Sequence, residues 1–331
     1  MKITVLGAGA WGTAFGQVLA DAGNDVMMWA REPEIVEDIQ ERHHNAVRLP
    51  SVERLPERMG ATGDPALAVR GASIVVVAIA AQFARVALER FASLLPADCM
   101  VVSLMKGIER STGKRMDEVV CEALNLPAER FAAVSGPNLS REIADRQPAA
   151  TVVACSDLEG AQLVARACTT AYFRAFVSTD VIGIEMCGSL KNVVALAVGM
   201  ARGAGYGENT AAMIESRGLA ELTALGEAAG AQRRTFAGLA GVGDLVATCG
   251  SPLSRNYTFG SNLGKGMSVA EASEASNGVA EGVPTTDAVV RLGDRLGVPT
   301  PLAKAMSRVL DEGLTCQQML EQLFDGPIGM E

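Results

Sequence analysis

The chain has 331 residues, 49% of them hydrophobic, and a formal net charge of −9. That length accommodates two domains, and that apolar content excludes wholesale disorder. The acidic balance argues against nucleic acid as a main partner, so an anionic ligand must meet a local gathering of cations.

Residues 3–6, Ile-Thr-Val-Leu, already read as a core strand, and no secretory signal is expected ahead of them. They run into GAGAWGTAFG at 7–16. Gly7 permits a tight turn out of the strand, Gly9 lets backbone approach a pyrophosphate, and Gly12 lets the next helix pack close to the sheet. A helical pattern through Ala14, Phe15, Val18 and Leu19 follows, then Gly23-Asn24 and a second strand at 25–29. Together they make a βαβ unit of about 30 residues, the context a dinucleotide fingerprint requires. Free N–H groups and the positive dipole end of the helix would face the phosphates. At the end of the second strand an acidic residue normally holds the ribose 2′-hydroxyl of NAD. This chain has Ala30-Arg31 there, with Glu32 one step late. Arginine suits a 2′-phosphate, so the stretch leans toward NADP, or toward both NADP and NAD. The plainer alternative is a solvated loop cation. His43 and His44, adjacent and without a partner motif, read as exposed polar residues.

Further strands are expected at 72–80, 99–105, 131–136, 149–155 and 172–178, with helical patterns between them. Continuous Val/Ile runs alternating with helices describe a parallel sheet covered on both faces. Beyond about residue 180 the strand signal fades, and helices are expected at 181–203, 208–229, 284–296, 301–312 and 315–323. The expected architecture is α/β: a Rossmann-type, mostly parallel sheet domain over 1–180, then an all-α domain over 181–331. Substrate is expected in the crevice between them, at the carboxyl ends of the strands. The apolar run 181–201 carries Glu185, Lys191 and Asn192 and three glycines, which fits a buried helix and not a membrane span. Seven scattered cysteines (99, 121, 155, 168, 187, 249, 316) show no metal-ligand spacing and fit reduced thiols in a cytoplasm.

No histidine follows His44, so the proton that must move when a hydride moves falls to another group. Only six of the 29 basic residues are lysine. Lys106 sits in SLMKGIE, where it ends the fourth expected strand, and Lys191 sits inside the apolar helix, in GSLKNVVAL. Desolvation disfavours an ammonium and suits a general acid–base, but a structural pair with a buried carboxylate accounts for Lys191 equally well. Asp244 follows the glycines of GLAGVGDLVATC and is either a site carboxylate or a helix cap. Ser254-Arg255-Asn256 groups hydroxyl, guanidinium and amide; a planar guanidinium suits a phosphate, and a surface loop cation is the alternative.

Over nearly its full length the chain resembles bacterial NAD(P)-dependent sn-glycerol-3-phosphate dehydrogenases. The resemblance is carried, in order, by GAGAWGTA, MKGIE, SGPNLSREI, CGSLKNVVALA, GLAGVGDLVATC, SRNYTFG and VAEGVPTT. It implies a cytoplasmic homodimer that interconverts dihydroxyacetone phosphate and sn-glycerol 3-phosphate and supplies the latter for phospholipid synthesis. It implies Lys191 as proton donor and acceptor, with Lys106, Asn192 and Asp244 lining the reacting carbon. Gly136, Asn138, Ser254, Arg255 and Asn256 would join Lys106, Lys191 and Asp244 in holding the substrate. Gly7, Gly9, Ala10, Trp11, Gly12, Arg31, Lys106, Ser140, Arg255, Val279 and Glu281 would hold the cofactor, and no metal is implied. The chain departs from the family pattern at Asn138, where Ser or Thr is usual, at Ser140, where Ala is usual, and at Ala80-Ala81, in place of proline-serine. Two other readings compete: a reductase of the β-hydroxyacid dehydrogenase type acting on another small substrate, and a nucleotide-sensing module without turnover. The SRNYTFG loop discriminates the first, since those enzymes usually recognise a carboxylate; an intact Lys191, Asn192 and Asp244 argues against the second.

Overall fold

The strand patterns of the N-terminal half assemble into one sheet, seen in a computed structural model that describes residues 1–276 and 280–324. Its strands are β1 (Lys2–Leu6), β2 (Asp25–Trp29), β3 (Met59–Thr62), β4 (Ile74–Val77), β5 (Met100–Ser103), β6 (Phe131–Ser135), β7 (Ala149–Cys155) and β8 (Phe173–Ser178). They are hydrogen-bonded in the order β3-β2-β1-β4-β5-β6-β7-β8. Every residue of β4, β5 and β6 is buried, as uninterrupted apolar runs require in a sheet covered on both faces. Two features differ from the sequence expectation. β3 was not expected: Met-Gly-Ala-Thr is short and lacks a β-branched run, and it is a strand because it pairs in parallel with β2, Val26 opposite Met59. β7 runs antiparallel to β6, with Ala132 opposite Cys155, and β8 then pairs in parallel with β7. With β3 counted, β5 is the fifth strand in chain order, and Lys106 lies in the loop three residues beyond it.

The chain divides into two compact units, Met1–Glu109 with Lys114–Glu185, and Arg110–Gly113 with Met186–Glu331. In the first unit, helix Ala10–Asp21 buries Phe15 edge-on against Phe173, with ring centroids 6.2 Å apart. Trp29 and Phe91 make a second edge-to-face pair at 5.1 Å. His43 and His44 are half-buried, contrary to expectation. His43 ends helix Pro33–Arg42 in the left-handed region (φ 48°) with Nε2 3.2 Å from Glu57, and His44 Nδ1 lies 3.9 Å from Asp38.

The boundary between the units falls inside helix Val181–Gly203. This is the one described helix long and apolar enough to cross a membrane, but 89% of its apolar window is buried inside the protein. It is a core helix, apolar all round because it is surrounded. In the second unit it crosses helix Arg255–Gly264 at backbone contact. A Cβ on Gly199 or Gly203 would lie 2.1 Å from the carbonyl oxygen of Tyr257 or Ser261. A Cβ on Gly260 or Gly264 would lie 2.1 or 2.0 Å from that of Leu196 or Met200. Two glycines four apart on each helix therefore let the backbones meet, and any side chain at these positions would push them apart. The remaining helices include Glu208–Ala228, Gly282–Leu296, Pro301–Glu312 and Cys316–Phe324, near the expected limits. Helices Arg233–Phe236, Asp244–Cys249, Arg255–Gly264 and Val269–Ala275 were not expected, because glycine and polar residues there mask the helical period.

Candidate active site

The glycine turn leaves β1 beside β4, where the strand order reverses, the place in an open α/β sheet where ligands bind. Gly7 has φ +111°, and a Cβ there would lie 2.5 Å from the Ala78 carbonyl oxygen. A Cβ on Gly12 would lie 2.2 Å from the carbonyl oxygen of Gly7. Gly9 differs: nothing among the described residues lies within 4 Å of its absent Cβ, so its face is open there. Gly9 is also the N-cap of helix Ala10–Asp21, and being glycine it brings no side chain to cap that end. A first turn with uncapped N–H groups, an open glycine face and a helix dipole behind it fits a pyrophosphate. The Trp11 indole Nε1, one residue into the helix from Ala10, is buried without a hydrogen-bond partner among the described residues. Val279 lies outside the described residues.

At the end of β2, Arg31 is 73% exposed and its guanidinium is 3.7 Å from Glu32. Both follow Ala30, and a groove of about 340 Å³ is lined there by Ala30, Arg31, Pro33, Gln40 and Gly63 among others. An exposed pair of this kind is worth little, so a phosphate can take the guanidinium from Glu32 at small cost.

Lys106 is half-buried, and its Nζ donates to the carbonyl oxygen of Gly136 at 3.2 Å. Gly136, directly after β6, runs against β7; a Cβ would lie 3.0 Å from Thr151 Cα. Asn138 is tied to the same strand. Its Nδ2 donates to the Ala150 carbonyl at 3.1 Å, and its Oδ1 accepts from the Thr151 hydroxyl at 2.8 Å. The longer amide in place of Ser or Thr thus reaches β7. Ser140 opens the short helix Ser140–Ala144.

The second unit gathers the other candidates. Lys191 and Asp244 are buried, their side chains 7% and 4% exposed, with Nζ 3.3 Å from Oδ1. Sequence reasoning missed the third member, Thr248. Its hydroxyl accepts from Lys191 Nζ at 2.6 Å and donates to Asp244 Oδ1 at 3.2 Å. The signal was the spacing: Asp244 and Thr248, four apart, share one face of helix Asp244–Cys249. Asp244 is the first residue of that helix and its N-cap is Gly243, so the carboxylate that pairs with Lys191 does not stand at the N-cap position. Burial pushes the neighbouring Cys249 thiol up, so it stays protonated.

Asn192, next to Lys191, accepts on Oδ1 from Asn256 Nδ2 at 2.9 Å, and Asn256 Oδ1 accepts from the Gly282 N–H at 2.8 Å. Ser254 caps helix Arg255–Gly264 by accepting from the Tyr257 N–H at 3.2 Å. Of Ser254, Arg255 and Asn256, only Arg255 is exposed, as the first residue of the helix, and the helix dipole reinforces its positive charge. Glu281, half-buried, precedes helix Gly282–Leu296.

A doubly wound nucleotide-binding sheet with a glycine turn at its reversal point, and a helical unit holding a buried lysine–carboxylate pair, define the general class of two-part nucleotide-dependent proteins. Residues 2–161 match the family model for the N-terminus of NAD-dependent glycerol-3-phosphate dehydrogenase, and residues 180–321 match the model for its C-terminus. The chain is 77% identical over 323 residues to a glycerol-3-phosphate dehydrogenase (NAD(P)+) of Bifidobacterium longum subsp. infantis, covering 98% of this chain and 97% of that one. It is 51% identical to the protein of that name in Corynebacterium kroppenstedtii, covering 98% of each. Its fold matches the crystal structure of glycerol-3-phosphate dehydrogenase from Coxiella burnetii with a TM-score of 0.92 at 33% identity, over 98% of this chain and 99% of that one. The chain belongs to the NAD-dependent glycerol-3-phosphate dehydrogenase family.

Proposed function

We propose that this chain interconverts dihydroxyacetone phosphate and sn-glycerol 3-phosphate, using NADP or NAD, and that Lys191 handles the proton. The buried Lys191–Asp244–Thr248 cluster carries this reading. When bound, the nicotinamide supplies or takes a hydride at C2 of the three-carbon phosphate. Lys191 gives its proton to the C2 oxygen as the alcohol forms and takes it back in the reverse direction. Asp244 holds the ammonium in place, and Thr248, accepting from Nζ and donating to Oδ1, fixes both. The family resemblance assigns polarisation of the C2 oxygen to Asn192 and Lys106, and donors of that kind act most strongly where water is excluded. Arg255, at a helix N-terminus, holds the phosphate.

Glycerol 3-phosphate made this way would enter phospholipid synthesis. Seven cysteines scattered without metal-ligand spacing support a reducing cytoplasm as the setting. A homodimer is part of the proposal and rests on the family resemblance; sedimentation equilibrium tests it. The activity is tested by oxidation of NADPH and of NADH with dihydroxyacetone phosphate. Turnover with neither cofactor would remove the proposal.

A further inference from the structure

Lys106 stands on a loop without regular structure, between the end of β5 at Ser103 and the isolated bridge that pairs Ile108 with Arg115. One stretch of chain holds that loop on both sides of the lysine: β4 and the helical turns that follow it, Ala81–Phe83 and Ala84–Leu88. Two residues before Lys106, the Leu104 N–H donates to the Val77 carbonyl at 2.9 Å. Two residues after it, the Ile108 carbonyl accepts from Gln82 Nε2 at 2.8 Å. One residue further, the Glu109 carboxylate accepts a fork from Arg85, Nε to Oε1 and Nη2 to Oε2, both at 2.9 Å. The Glu109 side chain is buried, so its charge needs a partner seated in this way. Arg85 Nη2 also lies 3.1 Å from Glu122 on helix Met116–Leu124, and Glu122 pairs with Lys114. The guanidinium is therefore held from two sides, and its planar fork gives Glu109 a defined seating.

We infer that Arg85 and Glu109 are a positioning pair for Lys106: their fork fixes the loop that carries the lysine, and so fixes where its ammonium reaches. The family resemblance assigns neither residue to substrate or cofactor, and both act here through Lys106. The inference rests on the proposed reading of Lys106 as a donor to the C2 oxygen. Lys106 Nζ, 3.2 Å from the Gly136 carbonyl, ends a flexible four-carbon stem, so its reach follows from where the loop sets its backbone. A preorganised donor has to be held to about 0.5 Å, and a displacement of about 1 Å costs about 10²-fold in rate.

Glu109→Gln, and Arg85→Met combined with Glu109→Met, test it, with Tm measured for each and kcat and KM for dihydroxyacetone phosphate read well below that Tm. Glutamine keeps the shape and removes the two-oxygen acceptor. The double substitution exchanges the pair for apolar side chains of similar volume, a change that buried ion pairs tolerate in stability. Both variants are expected to lower kcat about 10²-fold, with a smaller change in KM. In a Lys106→Ala background the same substitutions should cost almost nothing further in kcat. A pair that only stabilises the fold would lower Tm and leave kcat unchanged, and that result overturns the inference. So would a rise in KM alone, or a full further loss in the Lys106→Ala background. Failure of the underlying reading is separate: Lys106→Ala by itself would keep full kcat, or the unsubstituted protein would show no turnover.

Discussion

Thr248 completes a triangle with Lys191: its hydroxyl takes a hydrogen bond from Nζ at 2.6 Å and passes one to Asp244 Oδ1, itself 3.3 Å from Nζ. A buried ammonium and carboxylate held by a common hydroxyl make a proton donor of fixed geometry. Lys191→Met should therefore lower kcat at least ~10²-fold, the smaller end of what general acid–base catalysis supplies, while cofactor binding is retained. Asp244→Asn leaves the ammonium buried without its counter-charge and should destabilise the fold by about 3–5 kcal/mol in urea denaturation. Near-normal kcat in Lys191→Met would remove the lysine from the chemistry.

Arg31, itself exposed, pairs with Glu32 at 3.7 Å and lines a groove at the end of β2. Arg31→Ala should weaken NADPH binding by about 1–3 kcal/mol, the scale of a hydrogen bond to a charged group, and leave NADH nearly unchanged. Titration of both cofactors by fluorescence measures the difference. Equal losses would show that Arg31 does not read the 2′-phosphate.

Arg255 stands exposed at the first position of its helix, where dipole and guanidinium add. Arg255→Ala should cost about 2–5 kcal/mol in kcat/KM for dihydroxyacetone phosphate, as truncating one partner of a charge pair does. It should cost far less for dihydroxyacetone, since binding energy from the phosphate helps place the carbonyl. Loss by one common factor would reopen the substrate class.

Glu221, on helix Glu208–Ala228, accepts the N–H groups of Leu302 and Ala303 at 2.8 and 3.2 Å, at the start of helix Pro301–Glu312. Burial outweighs those bonds and raises its pKa from 4.5 to about 7. The folded protein then holds a proton that the unfolded chain releases. The resulting stability is complete below the ordinary value of 4.5 and is lost as pH rises through about 7. Glu185, buried beside Asp117, is shifted in the same direction, so only a comparison of variants isolates Glu221. Glu221→Gln should flatten the fall of stability across that window, by at most about 1.4 kcal/mol per pH unit. Parallel curves of Tm against pH would contradict the assignment.

The sequence by itself determined the elements whose pattern is local. The glycine turn, strands such as Ala149–Cys155, and helix Val181–Gly203 at its expected limits are written in runs of neighbouring residues, where period and breakers act over a few positions. Lys191 and Asp244 were legible as candidates because a charge in an apolar helix, and an aspartate after glycines, stand out against their neighbours, whereas Asn192 became one only through the family resemblance. Tertiary structure alone decided what those residues touch. It made Met59–Thr62 a strand by giving it β2 as a partner, and it set β7 antiparallel to β6. It placed Thr248 on Lys191 across 57 positions and Asn256 on Asn192 across 64. It turned Ser254 and Asn256 inward and left Arg255 outside, though the three are consecutive. The reason is geometric. A helix sends successive side chains about 100° apart, so adjacent residues serve different surroundings. Which surroundings each one meets depends on how helices cross. Here that crossing is set by the four glycines at 199, 203, 260 and 264, whose partners lie in a segment more than fifty positions away.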